Sequence, residues 1–312
     1  MHLLFALKLV ETNKNNCCYN DYRFIVNYKM RFLLLLFITV TTTGCFSRFV
    51  MTDKELAAYY KNRPLPRFAV IKNDSLQLYC ATAGADTLPP LLVVHGAPGA
   101  WYGSRNLLED SLLLLHYQVI IADRPGYNKT RFKKKRKAVS SIALQSQLLV
   151  QALQLNHSGN KRGIVMGSSY GGPIAAKMAI DYADRFNHVI LLAPALDPDK
   201  EKFWWFHPFI KGGPIKWMLP RNLRNATTEK FAHTKELRLL APQLQQLNVP
   251  ITIVQGGKDD IVDPANFDFA KKILKDKPAY FIFLPDANHF IRWQQPRLVK
   301  QLLLQEPGAS GY

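Results

Sequence analysis

From residue 65 onward, short apolar runs alternate with stretches of helical spacing. Phe68 to Lys72 and Leu76 to Ala83 read as two strands joined by the turn Asn73-Asp74-Ser75. Leu91 to Val94, Tyr117 to Ala122, Ile164 to Met166, Val189 to Leu192, Ile251 to Val254 and Ala279 to Leu284 are nearly unbroken apolar runs. Such runs are the pattern of parallel strands buried on both faces. Ser140 to Leu155, the segment from Pro173 onward, Ala265 to Leu274 and Pro296 to Leu304 carry helical periodicity. Ser140 or Ser141 can cap the first of these helices. Pro173 fits a first turn, where its missing N–H has no partner to lose. Strands alternating with helices predict an α/β fold, a mostly parallel sheet covered by helices on both faces.

Two stretches depart from the alternation. After Pro194 it stops, and residues 197–244 carry Phe203, Trp204, Trp205, Phe206, Phe209 and Trp217 among basic groups. This predicts an inserted helical lid, with the core divided into 65–196 and 245–306 and a frayed tail at 307–312. The other departure is the N-terminus. Met30-Arg31 precedes the short apolar run Phe32 to Val40, which ends in Thr41-Thr-Thr-Gly44-Cys45. That is the layout of an export signal, and the run falls well short of the roughly 20 residues a membrane span needs. Residues 1–29 then read as an upstream extension before a signal starting at Met30, and 46–64 as a linker. Thr43-Gly44-Cys45 resembles the end of a bacterial lipoprotein signal, although Thr42 stands where leucine is usual. The resemblance implies cleavage before Cys45, lipid on Cys45, and an exported protein tethered to a membrane of the bacterial cell envelope.

Composition narrows the classes. A chain of 312 residues can bury a large core, and 48% hydrophobic with 12% aromatic residues excludes a mainly disordered one. Its four cysteines (Cys17, Cys18, Cys45, Cys80) form neither a disulfide framework nor a zinc-ligand spacing. The net charge is +18, with Arg131, Lys133, Lys134, Lys135, Arg136 and Lys137 forming one dense run and the remainder spread out. A basic block of this kind can meet anionic lipid. No nucleic-acid module accompanies it, so nucleic acid is not an expected partner.

The candidate chemistry centres on Gly167-Ser168-Ser169-Tyr170-Gly171, lying between an apolar run and a helix. A G-x-S-x-G turn in that setting holds its central serine in a strained backbone above the sheet. Glycines two residues either side select Ser169, because the corresponding flanks of Ser168 are Met166 and Tyr170. A serine hydroxyl needs a base, and the base needs a group to orient it. Gly256-Gly-Lys-Asp-Asp-Ile-Val262 and Asn288-His-Phe290 follow later strands and supply both.

HGAPGAW, DRPG, GSSYGG, GGKDDIV and ANHF, in that order, resemble the α/β-hydrolase fold family over about residues 65–305. The resemblance implies a catalytic triad of Ser169, Asp259 and His289, with Asp260 a neighbour and Asp263 a loop stabiliser. It implies backbone donors at Tyr170 and Ala97 for the developing oxyanion, and a structural role for His95. His207 and His233 read as surface or packing residues. Neither metal nor cofactor is called for. HGxPG followed by DRPG is similar to the prolyl-iminopeptidase, epoxide-hydrolase and small-esterase branches, of which the first and last imply a small-molecule peptide or ester substrate. Ser169 argues against branches that use an aspartate nucleophile. Peptidases of this fold bind the substrate amine through acidic lid residues, and Glu201, Glu229 and Glu236 are available. A non-catalytic, membrane-tethered binding protein of the same fold stays open as a reading from another class.

Overall fold

A computed structural model describes residues 51–133, 139–159, 161–203, 207–211, 216 and 219–306. Cys45, most of the basic run and most of the lid aromatics lie outside the described residues. The chain divides into residues 1–55 and a body of 56–312. In the first, described from Met51, Thr52 Oγ accepts from the Glu55 amide while Glu55 Oε2 accepts from the Thr52 amide. This capping box starts helix α1 (Asp53–Tyr59) inside the stretch expected as a linker.

The body is built on strands β1 (Arg67–Lys72), β2 (Leu76–Ala83), β3 (Pro90–Val94), β4 (Gln118–Ala122), β5 (Arg131–Phe132), β6 (Gly163–Ser168), β7 (Phe186–Leu192), β8 (Ile251–Gly256) and β9 (Ala279–Leu284). They form one sheet in the order β1-β2-β4-β3-β6-β7-β8-β9, with β5 paired to β2. β1, β2 and β5 run antiparallel to their neighbours, and β3, β4 and β6 to β9 are parallel. Every residue of β3, β4 and β8 is buried. Successive side chains of a strand point to opposite faces, so both faces of the sheet centre are covered. The covering helices include α2 (Ser111–His116), α3 (Ile142–Leu149), α4 (Gly171–Asp181), α5 (Arg221–Leu240), α6 (Asn266–Ile273) and α7 (Pro296–Leu304). The expected architecture is the observed one.

The segment 197–244 divides in two. Its later part is the 20-residue α5, whose Leu237 and Leu240 join the main hydrophobic core together with Leu244 and Leu247. The core therefore reaches back into the expected lid. Nearer its start, α5 buries a polar stripe of Asn222, Asn225, Glu229 and His233 against the body. Among the described residues no helix is long and apolar enough to cross a membrane.

One core residue sets a pH dependence. His188 of β7 is buried, its Nε2 lies 2.9 Å from Thr252 Oγ, and Nδ1 has no partner among the described residues. Burial lowers its ring from 6.5 to about 4. An unfolded chain takes up a proton below about 6.5, and the folded one does so only near 4. The contribution is present above that window and is lost as pH falls through it, by about 3 kcal/mol. Asp123, whose burial raises its carboxyl to about 7, titrates across much of the same range with the opposite sign. A variant comparison therefore isolates the histidine. In urea unfolding at pH 7 and pH 4.5, wild type should lose about 2–3 kcal/mol more than His188→Val. Equal losses would remove His188 as the cause.

Candidate active site

β6 ends at Ser168, and α4 begins at Gly171. Ser169, between them, has φ 54°, the left-handed region that few residues other than glycine occupy. Its amide donates to the Leu192 carbonyl at 2.9 Å and its carbonyl accepts from Gly172 N–H at 2.9 Å. The turn is too tight for side chains at its flanks. A Cβ on Gly167 would lie 2.3 Å from the Gly171 carbonyl oxygen, and one on Gly171 would lie 2.4 Å from that of Val94. The strained backbone thus falls on Ser169, whereas Ser168 is an ordinary last strand residue whose buried Oγ has no partner among the described residues. That is the register read from the glycines.

The other residues stand on loops at the same end of the sheet, where β3, β6, β8 and β9 all finish. Asp259 follows β8, and its carboxylate is wholly buried. One oxygen accepts from the Ile261 and Val262 amides at 3.0 and 2.8 Å. The other meets Gln255 Nε2 at 3.2 Å and His289 Nδ1 at 2.8 Å. With every lone-pair direction toward a donor, the carboxylate stays put and turns the imidazole so that Nε2 is left for other work. The two loops are tied together, since Lys258 N–H donates to the Ala287 carbonyl at 2.9 Å and a Cβ on Gly256 would strike that same oxygen at 2.4 Å. Asn288 Oδ1 accepts from Phe290 N–H at 2.9 Å and holds the turn that carries His289. Asp263 Oδ1 caps its own loop through the Ala265 amide, and Asp260 is exposed.

The loop after β3 lies over the serine: a Cβ on Gly96 would be 3.1 Å from Ser169 Cβ. The amides of Ala97 and Tyr170 have no acceptor among the described residues. His95 is buried, and its Nε2 accepts from Arg124 N–H at 2.9 Å, so its proton sits on Nδ1, which donates to the Gly96 carbonyl at 2.8 Å. Burial, then the Arg124 charge, lowers this ring well below its ordinary value. His95 is a neutral strut.

The acidic residues available to bind an amine are all engaged. Glu201 meets His233 Nδ1 at 2.6 Å and accepts from Lys230 Nζ. Burial works to raise its carboxyl, but the hydrogen bond and charge of His233, helped by Lys230, hold it at about 2. Glu236 Oε2 accepts from the Ile142 amide at 2.9 Å, at the start of α3. Glu229 is fully buried against Arg124. His233, expected as surface or packing, is a packing residue: its ring lies 4.4 Å from that of Tyr170. His207 packs edge-on against Phe203.

Sequence reading missed Gln255 and Arg124 here, and placed Glu229 only among the acids available to bind an amine. Gln255 reaches Asp259 from within β8, one position beyond the apolar run read as the strand. Arg124 was visible only as a letter of DRPG. Glu229 shares a helical face with Asn222, Asn225 and His233, and that spacing was the available signal.

Comparison with known proteins bears on the fold. The model of the alpha/beta hydrolase fold matches residues 89–240. YugF, an uncharacterised hydrolase of Bacillus subtilis, is 22% identical over 76% of this chain and 96% of its own length. The crystal structure of a membrane phospholipase A, described as a bacterial virulence factor, superposes with a TM-score of 0.58 at 20% identity, covering 87% of this chain and 96% of that one. Est816, an N-acyl homoserine lactone degrading enzyme, gives 0.59 at 17% identity over 75% of this chain and 98% of that one. The chain has the alpha/beta hydrolase fold.

Proposed function

We propose that this alpha/beta-hydrolase-fold chain is a serine hydrolase that cleaves a carboxylic ester through an acyl-enzyme on Ser169. The observation that carries the reading is the buried Asp259–His289 pair at 2.8 Å, set at the sheet end where Ser169 has its left-handed backbone. In the first half-reaction Ser169 Oγ attacks the ester carbonyl carbon while His289 Nε2 takes the hydroxyl proton. The carbonyl oxygen, now negative, is held by the Ala97 and Tyr170 amides. Collapse of the tetrahedral adduct breaks the bond to the leaving alkoxide, which receives the proton from His289. Water then repeats the sequence on the acyl-enzyme and releases a carboxylic acid and free Ser169. Asp259 keeps the imidazole oriented and stabilises its charged form.

An ester is favoured over a peptide with a free amine, because Glu201, Glu229 and Glu236 already hold cationic or N–H partners. An incoming ammonium would have to displace one of these partners. The protein should therefore hydrolyse p-nitrophenyl acetate or butyrate and leave prolyl β-naphthylamide uncleaved. Turnover of the prolyl amide at a kcat/KM equal to that of the ester would favour the peptidase branch instead. Intact Ser169, Asp259 and His289 weigh against a non-catalytic binding role. Lipid attachment at Cys45, with export and tethering to the envelope, belongs to this proposal and rests on the short apolar run ending at Gly44-Cys45.

A further inference from the structure

We infer that Arg124, held by Glu229 of α5, is a positioning residue for the oxyanion donor at Ala97, so that the long helix sets the catalytic competence of the site beneath it. The inference rests on the serine-hydrolase reading above. Arg124 and Glu229 have no exposed side-chain surface and pair through both ends: Nη1 to Oε1 at 2.7 Å and Nη2 to Oε2 at 3.0 Å. The carboxylate also accepts from Tyr127 Oη at 2.5 Å and Gln145 Nε2 at 3.3 Å. A buried ion pair adds little net stability over apolar residues of the same shape. What it supplies here is direction.

That direction is passed to one peptide unit. Arg124 Nη2 donates to the Gly96 carbonyl at 3.2 Å, and the backbone N–H of the same residue fixes the tautomer of His95. The His95 Nδ1–H is then the second donor to that carbonyl, at 2.8 Å. The Gly96 carbonyl and the Ala97 N–H are opposite ends of a single trans peptide plane. Because the plane is rigid, two donors on the oxygen fix where the N–H points. Gly99 completes the clamp, since a Cβ there would lie 2.6 Å from His95 Nδ1 and 2.8 Å from the Gly96 oxygen. The guanidinium also stacks 4.7 Å from the Tyr170 ring, beside the other oxyanion amide.

α5 holds Arg124 from outside. Arg221 Nη2 donates to the Asn128 carbonyl at 2.7 Å, and Asn225 Nδ2 to that of Gly126 at 2.8 Å. With Glu229, these dock one helical face on the loop 123–128. The contact is polar, made by charged and amide side chains on backbone carbonyls and on Arg124, so removing one charge changes the aim of the arginine more than the area buried.

Glu229→Gln keeps the shape and removes the charge. Activity is measured per active site, counted by stoichiometric labelling with a fluorophosphonate. The expected result is a kcat for p-nitrophenyl butyrate about 10²-fold lower, with KM within about threefold, the pattern of an interaction made in the transition state. A merely structural glutamate would reduce the number of labelled sites and leave kcat per site within about threefold of wild type, which overturns the inference. Should Glu229→Gln fail to fold, Tyr127→Phe, which deletes one hydrogen bond to the same carboxylate, is measured in the same way. A roughly threefold to tenfold loss in kcat per site is then expected, and no loss overturns the inference. A wild-type protein that neither labels nor turns over esters rejects the underlying reading itself. A labelled, active wild type with undiminished variants rejects only the positioning role.

Discussion

Ser169→Ala should lower kcat toward a small aryl ester by about 10⁵- to 10⁶-fold, while Ser168→Ala leaves most of the turnover. The asymmetry follows from the turn. Ser169 carries the left-handed backbone and sits beneath Gly96, whereas the Ser168 hydroxyl is buried beside the strand end with no partner among the described residues. Neither change should unfold the protein, because alanine is no larger than serine and the Ser169 amide keeps its bond to Leu192. Initial rates of p-nitrophenyl butyrate hydrolysis, normalised to folded protein by circular dichroism, check it. Equal losses in both variants would mean that the wrong serine has been assigned.

Asp259→Asn is the second large effect, about 10⁴-fold in kcat with KM little changed. The geometry explains why an isosteric change would do so much. The oxygen of Asp259 facing Ile261 and Val262 accepts two backbone N–H groups, so an asparagine must place its carbonyl there. Its NH2 is then turned toward His289 Nδ1 and donates where the carboxylate accepted. The imidazole is driven to the tautomer with its proton on Nε2, which cannot take a proton from Ser169. Pre-steady-state acylation rates would locate the loss in the chemical steps. A decrease of less than tenfold would remove Asp259 from the role of orienting group.

Much of this was legible along the chain. Buried parallel strands announce themselves as unbroken apolar runs, and β3, β4 and β8 lie on such runs; β9 lies on one too, although at the end of the sheet it has no buried residue. The elbow was legible because glycine is required at Gly167 and Gly171 for a local reason, the approach of two backbones. Asp259 and His289 follow strands at short, regular distances. α5 was not legible as a docked helix, since it buries Asn222, Asn225, Glu229 and His233 where amphipathic spacing leads one to expect apolar groups. A polar residue is buried when a partner waits for it, and the partner of Glu229 lies 105 positions away in the chain. The helix α1 was hidden for a different reason: its start depends on the mutual bonds of Thr52 and Glu55, a signal of two residues in a stretch with no apolar pattern to frame it.

The central claim is that Ser169 is the nucleophile, and intact-mass analysis after reaction with a fluorophosphonate tests it most directly. Wild type should gain the mass of one phosphonyl group, mapped by peptide sequencing to Ser169, and Ser169→Ala should gain none. A wild-type chain that stays unmodified, or an adduct that persists in Ser169→Ala, would contradict the account.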